Sequence, residues 1–189
     1  MKSNFKDTIV SPMRFLGLDA HYPLLRAETK YTPAKTVQDN NRIKFDVHYQ
    51  GEKLSLLPEQ AMAAYFNKLK LIIAKNGFEN KEVIISVPTY LTQVERKAYF
   101  DAAKIAELNI KLLNDSTAVA LDYGLFRKAE LDAEKPRNVL FVDFGHSKLG
   151  IFVCSFTKSE MNVLEQEYCR NLGCRDIDYH LYEFYRKVF

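Results

Sequence analysis

The chain has 189 residues, 47% of them hydrophobic and 27% charged, with a net charge of +3. That is enough apolar material for one domain or two small lobes with a real core, which sets aside a disordered chain. The charge is too mild and too scattered to imply nucleic acid or an anionic membrane, and no apolar run reaches the roughly 18 residues that span a bilayer. Met1–Asp7 carries an acid and no apolar stretch, so it does not read as a secretory signal. The cysteines, Cys154, Cys169 and Cys174, lack paired spacing. They read as free thiols in a reducing compartment such as the cytosol, with the nucleus as a second possibility, not as a disulfide framework or a zinc site.

Residues 1–36 show little periodicity. Thr8–Leu18 is a candidate short helix if Pro12 lies in its first turn, and Pro23 and Pro33 bound an extended or loop region. Ile43–Tyr49 alternates apolar and polar residues, as a half-buried strand does. A turn at Gln50–Glu52 leads to a returning strand over Lys53–Leu57. Pro58 opens a helix whose apolar positions are Ala61, Ala64, Tyr65, Leu69, Ile72 and Ile73, stopped by Asn76-Gly77. Val83–Val87 is a continuous apolar run closed by Pro88, which predicts a buried strand. Thr92 and Glu95 form a capping box for a helix to about Glu107, with Tyr99, Ala102, Ala103 and Ala106 on one face.

Ile110–Leu113 is a further short strand, and Asn114–Thr117 caps a helix from Ala118 to about Phe126. Its Ala118, Ala120 and Gly124 permit close packing. Ala129–Arg137 is a charged connector. Asn138–Asp143 and Leu149–Phe156 read as hairpin strands turning at Gly145–Lys148, followed by a strand over Asn162–Tyr168. Asp176–Phe189 is an amphipathic helix whose Tyr179, Tyr182, Phe184, Tyr185 and Phe189 read as a packing face, with partner binding as the alternative. Strands alternating with helices give an α/β class. The expected organisation is a first lobe over 1–128, with a hairpin subdomain at about 30–76 and a β-α-β-α part at about 82–128. A connector at 129–137 and a second lobe starting at 138–189 follow, and both ends read as cut.

The stretch with most chemical content is Val139–Ser147. An apolar strand delivers one acid, Asp143, to a glycine turn whose N–H groups can face a phosphate, while the carboxylate can hold a metal-bound water. The same pattern also occurs at plain turns, with the acid capping the hairpin.

Three ordered segments resemble the ATPase domain of the 70-kDa heat-shock protein superfamily. They are Ile84–Tyr90 leading through Arg96 to Asp101–Asn109, Leu113–Gly124, and Phe141–Ser147; Leu172–Asp178 is a weaker echo. Gly145-His146-Ser147, where the peptide-folding members carry consecutive glycines, and the connector Glu134–Val139 are similar to the 110-kDa heat-shock branch. The resemblance implies an α/β actin-like (ribonuclease H-like) ATPase fold, most of lobe I and the beginning of lobe II, with ATP or ADP and magnesium as cofactors.

By that resemblance Asp143 and Asp115 are the catalytic and metal-associated carboxylates, converging from two lobes. Gly145, His146, Ser147, Lys148 and Gly173 lie at the phosphates, and Pro88 and Arg96 carry inter-lobe signalling. Asp115 also reads as a helix N-cap, His146 as an exposed turn residue and Arg96 as a surface charge. His146 and Ser147 restrict positive φ relative to glycine, so the turn should be less adaptable. Lys148 stands where peptide-folding relatives carry a hydroxyl; it either holds phosphate as a point charge or faces solvent.

The family's first phosphate loop has no counterpart before Asp7, and its adenine-binding stretch falls after Phe189. Met13 takes the place of a catalytic lysine, and a thioether cannot stabilise a migrating phosphoryl group. The expected function is an ATP-binding nucleotide exchange factor and holdase co-chaperone, a stress-response protein partnered by a 70-kDa chaperone and unfolded clients. It is at most a weak ATPase, and this chain alone binds ATP poorly. The rival readings are an ATP-hydrolysing 70-kDa-type chaperone and a remnant without nucleotide binding.

Overall fold

The computed structural model describes residues 4–78 and 82–189, so the first three residues of the Met1–Asp7 stretch lie outside the description. The chain divides into two compact units, Met1–Ile85 with Leu91–Leu112, and Ser86–Tyr90 with Leu113–Phe189.

In the first unit the helix expected over Thr8–Leu18 does not form. Single 3₁₀ turns occur at Phe5–Asp7 and Pro12–Arg14. Ser11, at φ 49°, breaks the chain direction just before Pro12, which then starts its own turn. The region expected to be loop between Pro23 and Pro33 contains a helix, α1 (Pro23–Thr29), because Pro23 sits at the first helical position, where its fixed φ suits a helix. Strands β1 (Lys35–Asp39), β2 (Arg42–Tyr49) and β3 (Glu52–Leu56) form an antiparallel meander. Both connections are two-residue turns, Asn40-Asn41 and Gln50-Gly51, with all four φ values positive. That geometry matches the strand twist.

The alternation in β2 buries Ile43, Phe45 and Val47 against Phe15, Leu25 and Ala34. Phe15 meets Phe45 edge to face with centroids 5.0 Å apart. Beside this core the Arg14 guanidinium donates to Glu28 Oε1, with both side chains buried. Helix α2 (Pro58–Lys75) begins and stops where the sequence predicts, with the Gln60 side chain accepting from the Leu57 N–H at 2.8 Å. Its packing face is rotated from expectation: Met62, Ala63 and Phe66 are buried, whereas Ala64, Tyr65 and Ile72 are exposed.

Strands β4 (Val83–Val87) and β5 (Ile110–Asn114) pair with each other, joined through α3 (Gln93–Ile105). The expected burial of β4 on both faces does not hold: Ile84 is exposed and only Val87 is fully buried. In α3 the capping box forms as predicted, with Thr92 Oγ1 accepting from the Glu95 N–H and Glu95 Oε2 accepting from the Thr92 N–H. Tyr99, Ala102, Ala103 and Ala106 are buried as expected.

In the second unit α4 (Asp115–Arg127) lies on one face of an antiparallel sheet ordered β6 (Arg137–Phe144), β7 (Leu149–Phe156), β8 (Met161–Cys169). Ala120, Leu131, Phe152, Cys154 and Phe156 form its core, with Tyr123, Val139, Phe141 and Met161 packed around them. Gly124 makes the close packing possible, since a Cβ there would stand 3.3 Å from the Phe156 ring. Helix α5 (Cys174–Val188) departs from expectation. Tyr179, Tyr182, Phe184, Tyr185 and Phe189 are exposed, and Arg175 is the buried residue of the helix. Leu140, Val142 and Phe144 on β6 are exposed as well. Among the described residues no helix is long and apolar enough to cross a membrane.

Removing one partner of a buried ion pair strands the other charge. Glu28→Ala should therefore destabilise the first unit by about 3–5 kcal/mol, seen as a lowered urea midpoint.

Candidate functional site

Side-chain parity builds the site. On β6 Val139 and Phe141 face the α4 side of the sheet, so Asp143 faces that side too, at the end of the strand. On β7 Phe152, Cys154 and Phe156 are buried on the same side, and counting back through Gly150 puts Lys148 there. Asp115 is the first residue of α4. Three charged side chains from separate elements of the second unit thus converge.

The Lys148 ammonium joins them. Its Nζ donates to Asp115 Oδ2 at 2.5 Å and to Asp143 Oδ2 at 2.7 Å. Asp115 Oδ1 accepts from the Ser116 N–H at 2.8 Å and from Thr89 Oγ1 at 3.1 Å. The Ser116 hydroxyl continues to Gln166 Oε1 at 3.1 Å. Lys148 is therefore paired with both carboxylates. Burial pulls its pKa down, but hydrogen bonds to the two carboxylates outweigh that and hold it above the ordinary lysine value. Thr89, Ser116 and Gln166 are site residues that the sequence reading missed. The parity of β7 was the available signal for Lys148; the hydroxyl and amide contacts had none.

The turn beside this cluster is braced by α5. Gly145 N–H donates to the Lys148 carbonyl at 2.9 Å, so the chain reverses over His146 and Ser147. Among the described residues neither the His146 nor the Ser147 N–H has a backbone partner. Neither residue adopts a positive φ, so the side chains expected to restrict the turn impose no backbone strain on it. The first two N–H groups of α5, from Cys174 and Arg175, donate to the Gly145 and His146 carbonyls at 3.0 and 2.9 Å. Gly173 lies so close that a Cβ would stand 2.4 Å from His146 O and 2.6 Å from Ser147 N. Asp176 Oδ2 fixes it by accepting the Gly173 N–H at 2.8 Å.

Asp115, Asp143, Gly145, His146, Ser147, Lys148 and Gly173 all fall in the second unit. Pro88 follows β4 in the same unit. Arg96 belongs to the first unit, where its Nε donates to the Leu91 carbonyl at 3.2 Å and braces the start of its own helix.

The chemistry of a phosphate is met in kind: two turn N–H groups lack backbone partners among the described residues, and the next residue, Lys148, carries an ammonium. The fit to magnesium is poor. The ammonium holds the space between the carboxylates, and the adjoining cavity, lined by Thr89, Asp115, Asp143 and Lys148, has room for about 20 Å³, one water molecule. Among the described residues no three His, Cys, Asp or Glu side chains cluster as metal ligands.

A family model described as Hsp70 protein matches residues 1–189. The chain belongs to the Hsp70 family. It is 38% identical over 191 residues to the 97 kDa heat shock protein of Strongylocentrotus purpuratus, covering 99% of this chain and 22% of that protein. It is 35% identical over 192 residues to a heat shock protein homolog of Saccharomyces cerevisiae, covering 99% and 28%. Identity to heat shock protein 110 of Caenorhabditis elegans is 32% over 194 residues, covering 99% and 25%. This Hsp70-family chain thus spans about a quarter of the length of these relatives. The resemblance to the 110-kDa branch and the α/β class with part of the actin-like ATPase fold both stand.

Two measurements probe the site's architecture. Gly173→Ala forces backbone against backbone, so a loss of about 1–3 kcal/mol is expected in urea unfolding, with the amide resonances of His146 and Ser147 displaced. The Lys148 bridge gives an alkaline signature. Its folded pKa is raised, so its contribution is fully present below the unfolded value of about 10.4 and is lost as pH climbs through the raised value. Wild-type stability should fall more steeply than that of Lys148→Met above about pH 10.

Proposed function

We propose that this chain contributes the phosphate side of an ATP/ADP site in a chaperone-related protein of the 110-kDa heat-shock type. The observation that carries the reading is the turn at Gly145–Ser147. Its His146 and Ser147 N–H groups have no backbone partner among the described residues and directly precede Lys148 in the chain, and α5 locks the turn in place. Oriented N–H groups and a cation are what a terminal phosphate recognises. Asp115 and Asp143 hold that cation, and Gly173 allows the backbone to approach.

Bound nucleotide would act as a conformational ligand, favouring one arrangement of the lobes by differential affinity, with Pro88 and Arg96 passing that state on. Turnover would be slow or absent, since Met13 supplies no charge to a migrating phosphoryl group. The protein of which this sequence is characteristic would serve as a nucleotide exchange factor and holdase for a cytoplasmic 70-kDa chaperone and its unfolded clients. Its relatives named as 97-kDa and 110-kDa heat shock proteins support that branch over the hydrolysing chaperones.

Titration of the chain with fluorescent ADP tests the site. Weak but saturable binding is expected. Ser147→Pro, which deletes one turn N–H, should weaken it about tenfold, the worth of one charge-assisted hydrogen bond. Equal binding by the variant, or none by either protein, would remove the phosphate assignment. Release of labelled ADP from a purified 70-kDa chaperone, with and without the chain, tests exchange directly.

A further inference from the structure

We propose that the Lys148 ammonium takes the place of a divalent cation in this site, so that the site accepts a phosphate group as the free anion and not as a metal chelate. This rests on the phosphate reading above and departs from the magnesium that the family resemblance implies.

The geometry carries the argument. A magnesium ion joining Asp115 to Asp143 would have to lie between the two carboxylates, directly or through its waters. Lys148 Nζ already lies there, within 2.7 Å of an oxygen of each. The arrangement is built from three elements. Asp115 is fixed at the start of α4 by the Ser116 N–H and Thr89, Asp143 is the penultimate residue of β6, and Lys148 opens onto β7 from the turn. A hydrated divalent ion keeps several waters, whereas the adjoining cavity holds about one. Entry of such an ion requires the ammonium to leave both carboxylates, and the two like charges then compete for the same oxygens.

Charge and donors point the same way. Two carboxylates and one ammonium leave a net charge of −1, so Lys148 already offsets half of the negative charge that a metal ion would meet there. An ammonium has three donors. Two are spent on Asp115 and Asp143, and one remains for a phosphate oxygen. The His146 and Ser147 N–H groups of the same turn are further donors without a backbone partner among the described residues. A lysine here is compact enough to sit between two acids, and as a point charge it can also face a phosphate.

Electron paramagnetic resonance of Mn2+ added to the nucleotide-free 189-residue chain tests this without activity. The wild-type chain should show no site tighter than the millimolar range, whereas Lys148→Ser, with both acids released, should bind Mn2+ at least about tenfold tighter. Lys148→Ser with Asp143→Asn should lose that gain. A Lys148→Ser chain that is folded by circular dichroism yet takes no more Mn2+ than wild type overturns the proposal. So does a wild-type Mn2+ site that Asp143→Asn abolishes, a result that stands even if the lysine variant fails to fold.

A second measurement uses labelled ADP on the wild-type chain with magnesium or with EDTA. Affinities within about twofold of each other support metal-free binding, and a collapse in EDTA overturns it. Absence of ADP binding under both conditions removes the phosphate reading and leaves the Mn2+ result to decide the metal question.

Discussion

An ammonium bound by two carboxylates at once is the contact on which the second unit's site depends. Asp115, Asp143 and Lys148 come from the first residue of a helix, the last residues of a strand and the far side of a turn. Without Lys148 the two acids would face each other as like charges, which repel. Lys148 removes that repulsion and fixes the relative position of α4 and the β6–β7 hairpin at their shared end. At the other end Gly124 against Phe156 and the stacked Phe141 and Phe152 rings do the same with apolar contacts. The helix is thus held by charge where the site lies and by packing where the core lies.

The turn and α5 show a comparable division of labour. A helix N-terminus usually offers its first N–H groups to an anion. Here the N–H groups of Cys174 and Arg175 are given to the carbonyls of Gly145 and His146, so the helix organises the turn and leaves anion contact to the turn's own amides. Gly173 is needed because of distance and not because of φ, which is an extended −160°. Gly145, in the turn itself, has ordinary contacts at the Cβ position and no positive φ. The constraint has moved from the turn to the residue that packs on it.

Local chemistry was legible in the sequence. Pro58, Asn76-Gly77 and the Thr92–Glu95 box mark helix ends because capping depends on a few adjacent residues. Strand β2 announced itself by alternation, and β6 by an apolar run leading into a glycine turn. The face of α2 did not, because Tyr65 and Ile72 are as apolar as Met62 and Phe66, and only the tertiary partner decides which stripe is covered. Helix α1 and strand β1 were missed for different reasons. A seven-residue helix gives too short a pattern, and the polar run Lys35–Asp39 becomes a strand only by pairing with β2 through the Asn40-Asn41 turn. In the site, the residue types Asp115, Asp143 and Lys148 were visible; strand parity puts Asp143 and Lys148 on one face, and only the packing of α4 on the sheet brings Asp115 to them. The exposed stripe on α5 has the sequence of a packing face and no partner among the described residues' cores, which periodicity by itself could not reveal.

The meander of the first unit carries a kinetic consequence. Its two reversals each span two residues, and every β1–β2 and β2–β3 pair is close in sequence. Loop-closure entropy for such pairs is small, whereas β4 and β5 must wait for the whole of α3 to be spanned before they meet. As the polypeptide emerges from the ribosome, the stretch from Lys35 to Leu56 is therefore the first that can assemble as a sheet, offering the buried face of Phe45 as the seed onto which Phe15 and Leu25 then condense.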